Sequence, residues 1–88
     1  VLAPAFGAEP LPLRRRAVMR ALQLMLGRDA RVETASVEAV LAAFDDEAGG
    51  KPRSGYVANI QGDLAVSANK RGVRIEPMSA YRARRKRG

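Results

Sequence analysis

The stretch GYVANIQGDLAVSANKRGVRIEP, residues 55–77, constrains the fold more than any other part of the chain. Tyr56, Ala58 and Ile60 fall at every second position and so share one face of a strand. After a turn, Leu64 and Val66 alternate with Ala65 and Ser67. Gly62 and Asp63 read as a two-residue hairpin turn, since glycine takes up positive φ without steric cost. NKRG is a second turn, with Asn69 and Gly72 both suited to left-handed backbone. VRIEP closes a three-stranded antiparallel meander, and Pro77 marks its exit. Tyr56 is expected to lie half-buried in this sheet.

A sheet this small needs a cover to be stable, and two helical patterns precede it. In LPLRRRAVMRALQLMLG, Val18, Ala21, Leu22, Met25 and Leu26 share one helical face, with Arg16, Arg20 and Gln23 on the other. Pro12 suits the first turn, where its missing N–H costs nothing, and Gly27 supplies the stop. Arg14 and Arg15 flank the stripe, their stems covering it and their heads reaching water. In SVEAVLAAF, Val37, Val40, Leu41 and Phe44 form an uninterrupted stripe, Ser36 is a candidate N-cap, and Glu38 complements the helix dipole. DDEAGGKP ends that helix. The order predicts an α+β fold with two helices packed on a small three-stranded antiparallel meander.

The chain has 88 residues, enough for one small domain or one piece of a larger protein. A start at Val1 rather than methionine is expected of a processed product or a piece of a longer polypeptide. Residues 1–10 read as linker, too short and proline-broken for a signal peptide. Residues 11–77 are the accessory-sized domain, and residues 78–88 are expected to form a basic, flexible tail. No apolar run approaches the roughly 20 residues of a membrane span, so no membrane partner is expected. The absence of cysteine fits a cytoplasmic location.

Charge is unevenly placed. Residues 1–50 carry six arginines against seven acids, a net of −1; residues 51–88 carry ten Lys and Arg against Asp63 and Glu76, a net of +8. A clustered positive field attracts polyanions, and a solvated cationic surface with a disordered end is the bland alternative.

The chemistry that these residues exclude is equally informative. With no histidine and no cysteine, the usual nucleophile–base pairs and zinc sites cannot be assembled. Asp45, Asp46 and Glu47 sit in a polar helix-end loop and lack EF-hand spacing. GGK, ending at Lys51, lacks the phosphate-loop spacing, and Pro52 stands where serine or threonine is required. No catalytic residue, metal ligand or cofactor site is expected in this chain.

LPLRRRAVMRAL, SVEAVLAAF, GGK and VANIQGDLAVSANKRGVRI together resemble, over residues 11–75, the region that follows the ATPase domain in the tRNA(Ile)-lysidine synthetase family. That region has a leucine-proline start, an arginine-studded helix, a second helix opening near Ser-x-x-x-Val, a Gly-Lys turn and a hairpin with an arginine-bearing return strand. Gln61 and Asp63 stand where that hairpin has a proline and a second glycine. The resemblance implies a parent enzyme that attaches lysine to the wobble cytidine of an isoleucine tRNA, with ATP as its cofactor. The catalytic motif S-G-G-x-D-S of such enzymes is absent from these residues. The implied role is therefore non-catalytic: binding and orienting tRNA, beside a catalytic domain of the same polypeptide. Two other readings stay open: a scaffold packed on that catalytic domain, and an unrelated basic RNA- or DNA-binding module. An exposed apolar patch on the helix pair would favour the scaffold.

Three basic clusters are the candidate RNA contacts. Arg16 and Arg20 lie one helical turn apart; Lys70, Arg71 and Arg74 sit on a turn and the strand leaving it; Arg82, Arg84 and Arg85, with Lys86 and Arg87, lie in the tail. Tyr56 and Tyr81 are the aromatics available to stack on bases, and Phe44 belongs to the core.

Overall fold

A computed structural model of the chain describes Leu2 and residues 4–86. Helix α1 spans Leu11–Leu26, with Pro12 in its first turn, and α2 spans Thr34–Leu41. A two-residue hairpin follows, β1 (Phe44–Asp45) paired with β2 (Lys51–Pro52). The main sheet is the antiparallel meander β3 (Val57–Ile60), β4 (Leu64–Asn69) and β5 (Gly72–Pro77). Helix α3, Met78–Lys86, closes the described chain. The fold is α+β, as expected.

The sheet register divides its side chains between two faces. Ala58, Val66 and Ile75 align across the strands, as do Ala68 and Val73, and this face meets the helix pair. Val18 and Leu22 of α1, Val37 and Val40 of α2, Phe44, Val66 and Val73 are all buried there. The other face carries Asn59, Ala65 and Glu76 in one row and Val57, Ser67 and Arg74 in the next. Ala65 and Met78 are buried apart from the main core, because α3 packs back over β4 and β5. The expected alternation in β4 fails at Ala65 for this reason: both faces of the sheet are covered there.

Of the stretch read as a tail, residues 78–86 form α3. Alanine and arginine are strong helix formers, cations near a helix C-terminus complement its dipole, and Met78 anchors the first turn. In the stretch read as linker, Leu2 and Phe6 make contacts with the domain. Leu2 exchanges two backbone hydrogen bonds with Val73, of 2.7 and 2.9 Å, and so occupies the outer edge of β5. Phe6, in a 3₁₀ segment over Pro4–Ala8, packs on Phe44 with ring centroids 5.5 Å apart. Gly7 and Gly50 make this crossing possible. A Cβ on Gly50 would lie 2.2 Å from the Gly7 carbonyl oxygen, closer than any side chain is tolerated.

Four local expectations are corrected. Phe44 lies beyond α2, which ends at Leu41, yet it is still the largest fully buried side chain. Ser36 is not the N-cap: α2 begins at Thr34, and the buried Ser36 hydroxyl instead accepts from the Gln61 backbone N–H at 3.3 Å. Met25 is 43% exposed, while Arg14 extends the buried stripe in its place. The β3–β4 connection has three residues, not two, since Ile60 pairs with Leu64. Gly62 and Asp63 both take positive φ, 71° and 54°, and aspartate is among the few side chains that tolerate it. Gln61, at the proline position of the resembled hairpin, donates to the Arg31 carbonyl at 2.7 Å and accepts from the Glu33 N–H. It fastens this loop to the start of α2.

Arg14 shows what a buried guanidinium requires. Its Nε donates to the Glu9 carbonyl at 2.8 Å, and Nη1 lies 3.3 Å from an Asp46 carboxylate oxygen. That second contact is a charge pairing without hydrogen-bond alignment, which leaves Nη1 without a directed acceptor. Among the described residues no helix is long and apolar enough to cross a membrane.

Candidate nucleic-acid interface

The conformation of the β4–β5 turn follows from its sequence. Asn69 pairs with Gly72, so Lys70 and Arg71 form a two-residue tip. The Asn69 side-chain oxygen accepts from the Arg71 N–H at 2.7 Å, and Gly72 has φ 137°, a backbone that favours glycine. Arg74 follows on the sheet face away from the helix pair, opposite Ser67. Glu76 lies two residues on, on that same face, and Arg84 reaches back from α3 to grip its carboxylate through Nε, at 3.3 Å, and Nη2. This hydrogen bond, above all, raises Arg84 beyond the ordinary guanidinium value.

Three cationic side chains thus meet on one surface. Arg71, Arg74 and Arg84, with Asn69 and Gly72, line a cavity of about 150 Å³. Glu76 offsets one charge, so the cavity keeps a net positive field. Guanidinium groups present planar pairs of donors that match phosphate oxygens. Lys70 points to the other side of the tip and lines a cavity of about 350 Å³ with Lys51, Pro52 and Ser54. Lys51 is a candidate that sequence reasoning missed. Its signal is the GGK turn: Gly49 and Gly50 turn the chain so that β2 runs back along β1.

The candidates do not form one surface. Lys70, Arg71, Arg74 and Arg84 gather around the hairpin and α3. Arg82 and Arg85 are exposed on α3, and Arg85 donates to the Tyr81 hydroxyl at 3.1 Å. Arg16 and Arg20 project from the outer side of α1, across the helix layer from these groups. Arg87 lies outside the described residues. Both tyrosines have partners within the chain. Tyr56 packs against the core and donates to the Ala39 carbonyl at 2.7 Å, while guanidiniums of Arg84 and Arg85 lie 5.7 and 5.8 Å from the Tyr81 ring centre.

A larger cavity, about 410 Å³, opens between α1, α2 and β1. Each of its arginines faces an acid: Arg14 faces Asp46, Arg15 Glu38 and Arg53 Asp45. It offers little net charge to a ligand. Among the described residues no group of acids is arranged to hold a metal ion. No protein-family model, curated protein or solved structure matches the chain.

Proposed function

We propose that this chain is a tRNA-binding accessory domain, which docks tRNA phosphates on the β4–β5 hairpin and α3. The observation that carries the reading is the convergence of Arg71, Arg74 and Arg84 on one cavity in the half of the chain with net charge +8. Phosphate contacts fix register and orientation without reading sequence. A rigid hairpin also loses less entropy on binding than a flexible tail carrying the same charges.

In this reading the domain contributes no bond-making. The resemblance to the lysidine synthetase family supplies tRNA as the polyanion and a neighbouring ATP-dependent domain as the catalyst. The domain holds the RNA body so that the anticodon is presented elsewhere. Tyr81, braced by two arginines, stiffens the α3 side of the cradle instead of stacking on bases.

The test is a salt titration of tRNA binding by wild type and by Lys70→Ala/Arg71→Ala/Arg74→Ala, with α3 kept intact because Met78 is packed in the fold. Each neutralised phosphate contributes roughly −0.7 to −0.9 to the slope of log K against log salt. The variant slope is expected to be shallower by about two to three units, with an unchanged circular dichroism spectrum. An unchanged slope would remove the hairpin from the interface.

A further inference from the structure

Helix α1 has a face that neither the core nor the proposed RNA contact uses. Leu13, Ala17, Ala21 and Leu24 recur at helical spacing along it, and Leu13 is 55% and Leu24 80% exposed. With Arg16 and Arg20 they line a predominantly apolar cleft of about 360 Å³. Arg14 and Arg15 on the same helix have acidic partners, Asp46 and Glu38. Arg16 and Arg20 have none among the described residues, and α1 contains no acid at all. An exposed leucine pair flanked by two guanidiniums is an apolar patch of the kind that favours a protein contact, as the scaffold reading requires.

Charge decides what fits. With Arg14 and Arg15 offset by Asp46 and Glu38, only Arg16 and Arg20 remain on this helix for a polyanion, too few for the broad positive field that an RNA backbone or an anionic membrane needs. A second copy of this face would bring its own Arg16 and Arg20 against these two, a like-charge clash. A narrow ligand that touches α1 alone escapes both objections.

We propose that this face docks an amphipathic α-helix of a protein partner. The partner's apolar ridge seats in the cleft between Leu13 and Leu24, and carboxylates flanking that ridge pair with Arg16 and Arg20. The leucines supply the burial, and the arginines supply orientation and selectivity for an acidic rim. The proposal is independent of the RNA reading, because it uses the opposite side of the molecule and different residues. A domain with both surfaces would join an RNA to a protein.

The probes are two synthetic helical peptides of about 18 residues, long enough to hold a helix. They share one leucine stripe; glutamates flank it in the first and lysines in the second. Anisotropy titrations with the whole chain should show the glutamate peptide binding at least about tenfold tighter than the lysine peptide. Leu24→Asp should weaken the glutamate peptide by about tenfold or more, and Arg16→Glu/Arg20→Glu should reverse the preference. All these positions are exposed, so circular dichroism should show the fold intact. Equal binding of the two peptides, no binding of the glutamate peptide, or an unreversed preference in the charge-swapped chain would overturn the proposal. So would a loss of salt dependence in tRNA binding by Arg16→Ala/Arg20→Ala, which would give these arginines to RNA. A dimer dispersed by Leu24→Asp would give the face to a second copy.

Discussion

Removing the Phe44 ring should take a large share of the stability of this domain. Phe44 is 1% exposed, so truncation to alanine deletes a side chain whose whole surface meets other protein atoms. A buried aromatic covers roughly 150–250 Å², which at about 25 cal/mol per Å² is about 4–6 kcal/mol as an upper bound. Measured losses for such truncations run at about 3–5 kcal/mol. A chain of 88 residues has a total stability on the order of 4–13 kcal/mol. Phe44→Ala therefore removes roughly a quarter of it or more, and lowers the melting temperature by at least about 12 °C. Urea melts followed by circular dichroism provide the assay. The Phe6 ring, tilted 51° to Phe44, supplies an internal control. Phe6→Ala should cost about 0.5–1.5 kcal/mol less in the Phe44→Ala background than in wild type. A loss below about 1 kcal/mol for Phe44→Ala would refute the core placement. Zero coupling would refute the packing of Phe6 on Phe44.

Arg14→Ala should cost about 2–3 kcal/mol in the same melts, because it strips stem packing and leaves the Glu9 carbonyl unpaired; Asp46→Ala, at an exposed partner, should cost under about 1 kcal/mol. Burial pushes the Tyr56 phenol above its ordinary value, with nearby Arg53 pulling partly back. The folded chain thus holds that proton more tightly than the unfolded chain, so the contribution is intact below about pH 10 and is lost as pH rises through the folded value. Tyr56→Phe should cost about 1 kcal/mol at neutral pH and flatten the alkaline limb of stability above about pH 10, as urea melts on either side of that pH would show.

The meander, the α1 boundaries and the inward positions Ala58, Ile60, Leu64 and Val66 were legible because each rests on local periodicity or turn chemistry. The failures share a physical cause: each element gains its stability from residues distant in sequence. Phe6 carries no periodic signal and is held by Phe44. Ala65 looks like an outward residue until α3 covers it. The basic run after Tyr81 reads as disorder by charge, yet Met78 and the Glu76–Arg84 pair tie it to the sheet. Phe44 was assigned to the core correctly but to the wrong element, since helical spacing from Val37 also fits a residue just past the helix end.

The candidate surface was legible in composition and not in arrangement. The excess of positive charge after residue 50 pointed to the hairpin, and the turn residues Asn69 and Gly72 gave its geometry. That Arg84 would join Arg71 and Arg74 depended on α3, which the sequence reading left unfolded. That Arg16 and Arg20 would face away from them depended on packing α1 against α2 and the sheet. Periodicity assigns residues to faces of a helix but does not say which side of the molecule that face will occupy.

The most direct test of the central claim is an amide chemical-shift map of the chain titrated with tRNA. Binding at the hairpin and α3 predicts perturbations concentrated at residues 69–74 and 78–85, fading as salt is raised. The outer face of α1, at Leu13, Arg16, Arg20 and Leu24, should stay unchanged. Perturbations centred on α1, with the hairpin silent, would contradict the account.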